Sequence, residues 1–357
     1  MEFGIQFFPD IGPAVQSGRD YWQESLHLVG LCDELGYTSV RTVEHYFQPY
    51  GGYSPNPIVF LAAASQRTAK ARLVTGAVLP AFNNPLKLAG EIGMLDAISD
   101  GRLEVGFARA FLPPEFARFG VALDESRARF DEGMEQVRRL LEEENVTSEG
   151  RFHSFRNTTS LPRPTQKPRP PFYVAALATE ESFVKAGEQG HAVMAIPMAG
   201  GKMAELIALY REGWRTGGHP GKGTVMLAFH MLCHRDGTRA AEIAREPLNR
   251  YLRSLVEAAS DWTGGLSSQD YPNYDKIIEA LSRESFESQV AKRAAWVGTP
   301  EELRQAIAEY EAQVGGFEIA SMQVSFNTIT VDQAEASMRL FAAEVMPHFG
   351  GATQAAQ

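Results

Sequence analysis

The chain has 357 residues, 44% of them hydrophobic, enough to bury a large core as one α/β domain or two smaller ones. A net charge of −10 with no run of Lys or Arg argues against nucleic acid and anionic membranes as partners, so an anionic ligand must be caught by a local basic group. Cys32 and Cys233 lack any metal or redox spacing and read as reduced, buried thiols of a cytoplasmic protein, and neither a signal peptide nor a membrane span is expected.

A first apolar strand is expected over residues 3–8. Trp22, Leu26, Val29, Cys32 and Leu35 then fall on one helical face, Gly36 stops that helix, and a second strand begins at residues 37–40. A helical pattern over 56–68 leads into a strand over 73–79. Another over 86–99 stops near Gly101, before a strand over 103–107. A helix over 125–143 is followed by residues 150–170, rich in Pro, Thr and Ser, which read as a long connection to a fifth strand at 172–176. A helical stretch ends at Gly190, and a sixth strand follows at 191–196. A helix over 201–216, a strand over 224–232 and a helix over 239–258 come next. Residues 262–276 read as a lid or as a plain surface loop. A helix over 300–313, a strand over 321–326 and a helix over 331–345 complete the series.

Glycine recurs at helix ends because it enters the left-handed C′ conformation at least cost. Eight strands alternating with helices predict a (β/α)8 TIM barrel with insertions rather than a doubly wound sheet, and no GxGxxG turn follows an early strand. The reading is a single domain over 1–350 with a flexible tail over 351–357.

In such a barrel the C-terminal strand tips form the site. Val43-Glu44-His45-Tyr46 ends the second strand and Ala108-Arg109-Ala110-Phe111 the fourth. His45 is a general acid–base or a structural histidine satisfied by a carbonyl. Glu44 orients His45 or pairs with Arg41. Arg109 holds a phosphate bidentately or makes a surface salt bridge. Ala178-Thr179-Glu180-Glu181-Ser182 offers hydroxyls and free amides as a phosphate seat, and Thr179 equally as an N-cap. Thr75-Gly76 in the third strand leaves room for a flat ring or bends the barrel, and Ala108 is also small. Phe7, Phe8, Phe47 and Phe111 form an apolar pocket or ordinary core. The remaining histidines show no metal-ligand spacing, so no metal is expected.

From Phe3 to about Phe349 the sequence resembles the bacterial luciferase-like flavin monooxygenases, and their luciferase α subunit in particular. The resemblance rests on Glu44-His45-Tyr46-Phe47, on Val78-Leu79-Pro80 through Pro85, and on Leu95-Asp96-x-x-Ser99-Asp100-Gly101-Arg102. It continues through Gly106-x-x-Arg109, Pro171-Phe172-Tyr173-Val174-Ala175 and Val297-Gly298-Thr299-Pro300-Glu301. Ala336-Ser337-Met338-x-Leu340-Phe341 and Val345-Met346-Pro347 close it.

The resemblance implies a TIM barrel with FMN at the C-terminal strand ends. Arg109 would hold the flavin phosphate with Thr179, Ser182 and the backbone at Ala178. Thr75-Gly76 would match a non-proline cis peptide under the ring, with Ala108 and Phe111 nearby. His45 would match the catalytic histidine, Tyr251 a tryptophan near the isoalloxazine, and residues 261–289 a mobile closing loop. Ala108 replaces luciferase's reactive cysteine, which puts light emission in question. Leu177-Ala178 replaces a Glu-Ser pair of the phosphate loop, and Tyr46 replaces a second histidine.

The implied reaction takes FMNH2 from a separate flavin reductase and adds O2 at flavin C4a as a peroxide or hydroperoxide. An apolar organic or carbonyl substrate is then oxygenated by hydroxylation or Baeyer–Villiger insertion. The alternatives are an F420-dependent hydride-transfer enzyme of the same superfamily and a non-catalytic flavin-binding subunit. Family habit implies a homodimer packed through the helices carrying residues 60–63 and 86–94.

Overall fold

The structure is a computed structural model that describes residues 1–350; the tail expected over 351–357 lies outside the described residues. Eight parallel strands close a barrel in the order β1 (Glu2–Phe7), β2 (Ser39–Thr42), β3 (Arg72–Val78), β4 (Leu103–Phe107), β7 (Phe172–Ala175), β8 (Ala192–Ala195), β9 (Val225–Cys233) and β11 (Ile319–Ser325). Val193 pairs with Val225, Ile319 with Met226 and Glu2 with Ile319, which completes the ring. The expected (β/α)8 barrel is the observed fold.

The helices that cover this ring are α1 (Gly18–Val29), α2 (Cys32–Leu35), α3 (Pro57–Ser65), α4 (Pro85–Ile98), α5 (Pro113–Phe119), α6 (Ser126–Glu142) and α7 (Glu180–Glu188). They continue with α8 (Gly200–Thr216), α9 (Gly237–Ala258), α10 (Tyr274–Leu281), α11 (Phe286–Ala291), α12 (Pro300–Val314) and α13 (Val331–Glu344). Local chemistry sets their ends. Asn56, Asn84 and Asp236 accept backbone amides at the starts of α3, α4 and α9, and Thr299 with Glu302 forms a capping box on α12. The three stopping glycines all take positive φ, 82° at Gly36, 73° at Gly101 and 69° at Gly190, as the sequence pattern required.

Five elements differ from the sequence reading, the first being α5, where no helix is expected from the sequence. The first helix breaks at Gly30 into α1 and α2. Residues 150–170 are not all irregular: β5 (Val146–Glu149) and β6 (Ser154–Thr158) form an antiparallel hairpin. A ninth sheet strand, β10 (Ala295–Gly298), pairs with His230–Cys233 of β9, because β9 is long enough to outrun β8. Finally, the segment after α9 folds into α10 and α11 and is not one irregular loop.

One hydrophobic cluster runs from Phe3 to Val345 between barrel and helices. A second lies above the C-terminal strand ends, where Phe8, Leu79 and Leu112 meet Trp262, Tyr271 and Ile278. That cluster anchors the segment after α9 over the barrel mouth. Cys32 and Cys233 are buried and unpaired, and burial pushes both thiols up, Cys233 to about 12. Among the described residues no helix is long and apolar enough to cross a membrane.

Candidate active site

The C-terminal strand ends of the barrel surround a cleft of about 240 Å³. His45 and Arg109 both line it, so the imidazole and guanidinium at the tips of β2 and β4 open onto one space. Gly76, Ala108, Phe111, Thr179, Ser182 and Tyr251 line it too. Two residues expected in the site do not. Thr75 is fully buried, and its hydroxyl stitches β3 to β4 by donating to the Gly106 carbonyl (3.0 Å) and accepting from the Gly106 amide (2.8 Å). Ala178 lies outside the lining, between Leu177 and Thr179, which are part of it.

His45 is held by a residue that sequence reasoning missed. Its Nδ1 lies 3.1 Å from Glu115 Oε1, and the same oxygen accepts the Tyr46 amide at 2.8 Å. Glu115 is 1% exposed. With Glu115 Oε1 accepting from Nδ1–H, Nε2 is left as the acceptor for the cleft. The ring packs among Phe8, Tyr50 and Phe111 at centroid distances of 5.5, 5.4 and 6.0 Å. Gly51, at φ 78°, sits so close to the imidazole that any side chain there would displace it.

Glu44 neither orients His45 nor pairs with Arg41. Its Oε1 accepts Tyr46 Oη at 2.5 Å and Asn83 Nδ2 at 2.8 Å, and its Oε2 accepts the Leu79 amide at 3.0 Å. Arg41 instead reaches Gln6 Oε1 (2.6 Å) and the Gly76 carbonyl (3.0 Å), and burial lowers it to about 10. The missing side chain at Gly76 therefore makes room for the Arg41 guanidinium. A non-proline cis peptide does occur here, between Gly76 and Ala77, one bond beyond the expected Thr75-Gly76.

A basic cluster also lines the cleft. Arg109 Nη1 donates to the Asp270 carbonyl at 3.0 Å, and its guanidinium stands 4.7 Å from the Tyr271 ring centroid. Arg127 at the start of α6 and Lys185 in α7 also line the cleft, and both contact Glu181, at 3.4 and 2.8 Å. Burial raises the Asp131 carboxyl while the charges of Lys185, Arg127 and Arg109 pull it back, so three cations converge on one spot. Thr179 occupies the N-cap position of α7 without making a capping hydrogen bond, which leaves its hydroxyl and the first amides of α7 for a ligand. Lys185 was legible in principle, since it follows Ser182 by three residues on the same helical face.

The expected aromatic pocket divides. Phe8 and Phe111 line the cleft, whereas Phe7 is buried against Phe60 and Phe47 is 55% exposed beside Phe119. Tyr251 from α9 lies 5.5 Å from Phe8, and burial pushes its hydroxyl up to about 12. Tyr274, Ile278 and Leu281 of α10 roof the cleft. That roof is tied down by Trp262 Nε1 to the Phe111 carbonyl (2.9 Å), by Tyr271 Oη to the Ala110 carbonyl, and by Asp270 Oδ2 from the Arg127 amide (2.9 Å). The arrangement can hold an anion, exclude water and move a proton.

Comparison with known proteins identifies the family. The family described as luciferase-like monooxygenase matches residues 1–315. The crystal structure of monooxygenase RslO1 from Streptomyces bottropensis is 43% identical, with a TM-score of 0.87 over 98% of this chain and 100% of that one. The oxygenase component of a flavin-dependent trigonelline monooxygenase from Acinetobacter baylyi is 27% identical over 94% of this chain and 91% of its own. The oxygenating constituent of 3,6-diketocamphane monooxygenase from Pseudomonas putida, a type II Baeyer–Villiger enzyme in complex with FMN, shares the fold (20% identity, TM-score 0.81, 97% and 98% covered). A shorter match, protein y4wF of Sinorhizobium fredii, is 34% identical over 45% of this chain, which spans about half (47%) of that relative's length. With a family match across most of its length and a 43% identical relative covered end to end, the chain belongs to the luciferase-like monooxygenases.

Proposed function

We propose that this chain is the oxygenase of a two-component system that uses reduced FMN and O2 to oxygenate a small apolar or carbonyl substrate. The observation that carries the reading is the single cleft lined both by three convergent cations and by a carboxylate-oriented imidazole. Its donor set fits a flavin mononucleotide. Arg109, Arg127 and Lys185 match a phosphate dianion, helped by the Thr179 and Ser182 hydroxyls and the open amides of α7. The Glu181 contacts that now hold Arg127 and Lys185 are partly exposed, so a phosphate can replace them at little cost. Ala108, Ala175 and Ala228 keep the middle of the cleft clear for a flat ring.

Bound there in reduced form, the cofactor would supply two electrons and activate O2, one atom of which enters the substrate while the other leaves as water. The chain's own part is to bind, shelter and move protons. Phe8, Phe111, Leu255 and the α10 roof keep bulk water from the reacting atoms. His45 Nε2 takes or gives the proton, and Glu115 holds the ring in the tautomer that allows it. A separate reductase supplies FMNH2, as the name of the A. baylyi relative, an oxygenase component, supports for its own system. The unpaired, buried cysteines suit the reducing cytoplasm.

Anaerobic mixing with FMNH2, followed by O2 and a panel of carbonyl compounds, tests the reading. Oxygen uptake coupled to an oxygenated product is expected; indifference to O2 together with hydride transfer from reduced F420 would put the chain on the deazaflavin side of the superfamily. We also propose a homodimer through α3 and α4, whose outer faces expose Val59 (68%), Met94 (57%) and Ile98 (40%). Sedimentation equilibrium should give a dimer that Met94→Lys weakens; a monomeric wild type at all concentrations contradicts it.

A further inference from the structure

Beside the active-site cleft lies a second cavity of about 170 Å³, and among the described residues Glu44 alone lines both. The carboxylate faces the two spaces with different oxygens. Oε1 accepts from Tyr46 and Asn83, which line the second cavity, and Oε2 accepts from the Leu79 amide, whose residue lines the cleft. The outer side of the second cavity is formed by Lys87 and Glu91, an ion pair at 2.7 Å in which the Lys87 side chain is 63% exposed. Polar side chains, Lys87, Glu91, Asn83 and Tyr46, therefore line the second cavity from its exposed side to Glu44, which also borders the cleft that His45 lines. Nothing in the substrate cleft itself requires a buried carboxylate at this place.

We propose that Glu44 is a proton-relay residue, exchanging protons between the second cavity and the closed cleft; this rests on the oxygenase reading above. The overall reaction, FMNH2 + O2 + S → FMN + SO + H2O, consumes no net proton. Reduced FMN, when bound, would supply two electrons and two protons, and both protons would end in the water formed. Inside a roofed cleft those protons leave one group and reach another at different moments. Glu44 lends a proton to the cleft and is reprotonated from the second cavity; when a proton is later released in the cleft, Glu44 hands its own out to the second cavity and takes that one up, so the count closes at zero. A relay of this kind works best where its group titrates near the working pH. Burial pushes the Glu44 carboxyl up to about 7; hydrogen bonds from Tyr46, Asn83 and Leu79 lower it, and the charge of Glu115 raises it. The other charged or titratable groups around it are Tyr46 and His45 on its own strand tip, Glu115 of α5, and the Lys87–Glu91 pair of α4.

The test begins with cofactor-free protein. Infrared difference spectra taken between roughly pH 5 and pH 9 should show two protonated-carboxyl bands titrating near neutrality, one from Glu44 that Glu44→Gln removes and one from buried Asp10 that it leaves in place. In turnover with FMNH2, Glu44→Gln should lower product formation on the order of 10²-fold and flatten the pH profile, and Glu44→Ala, which leaves room for the ion, should be slowed likewise and regain activity when formate is added. Variants slowed equally at every pH, with Glu44→Ala untouched by formate, would show Glu44 to be a brace for the Leu79–Asn83 turn, and overturn the relay. Should Glu44→Gln fail to fold, Tyr46→Phe in the intact protein takes its place. It removes one donor to the carboxylate and should raise the midpoint of one of the two bands; two unmoved midpoints overturn the assignment. A wild type that oxygenates while Glu44→Gln behaves identically removes the relay alone. A wild type inert toward O2 with FMNH2 removes the oxygenase reading and the relay with it.

Discussion

His45→Ala is expected to keep FMN affinity and lose at least ~10²-fold in product formation, the usual scale for removing a general acid–base. The side chain is far from solvent, held at Nδ1 by Glu115 and boxed by Phe8, Tyr50 and Phe111. Its Nε2 is therefore presented in one orientation, and an alanine leaves no other imidazole on the cleft wall. Glu115 would keep its bond to the Tyr46 amide in the variant, so the β2 tip retains its anchor. Single-turnover measurements with preloaded FMNH2 separate this loss from any loss of binding. Turnover at the wild-type rate would return His45 to a packing role.

Arg109→Ala is expected to weaken FMN by ~1.5–3 kcal/mol, as for a hydrogen bond to a charged group, or roughly 10- to 150-fold in Kd. Two effects act together. The guanidinium is one of three cations near Asp131, and it also ties the β4 tip to Asp270 and Tyr271 of the roof. The loss should therefore exceed that for Lys185→Ala, whose ammonium is shared with Glu181 and makes no contact to the roof that compares with it. Flavin fluorescence titration measures both, and equal affinities for wild type and Arg109→Ala would refute the phosphate assignment.

Much of this layout was readable from the order of residues. Apolar runs bounded by Gly36, Gly101 and Gly190 mark strand after strand, because a parallel strand covered on both faces needs little else to declare itself. His45 and Arg109 follow, since strand tips at the C-terminal face converge by the geometry of the barrel. The partner of His45 was not readable. Glu115 lies 70 residues away, in a seven-residue helix opened by Pro113 and Pro114, and nothing local distinguishes it from a helix-start carboxylate on the surface. Phe47 misleads for a related reason. It adjoins the catalytic tip in sequence, but a positive φ of 68° turns the chain outward there and exposes the ring. The roof was legible as an insertion but not as helices, because α10 and α11 are eight and six residues long and take their stability from packing rather than propensity, α10 on Trp262 and Tyr271 and α11 through Phe286 in the main core. At Gly76 the sequence left room for a ring or a bend; the structure adds that Arg41 fills the side a Cβ would take, which strand spacing alone could not show, since it says nothing about which neighbour reaches across.

Crystals soaked with FMN test the central claim most directly. The account predicts phosphate density within hydrogen-bond reach of Arg109 and Arg127, with the reactive face of the ring turned toward His45 beneath Tyr274 and Ile278. Density with the phosphate beside His45, or a flavin seated outside this cleft, would contradict it.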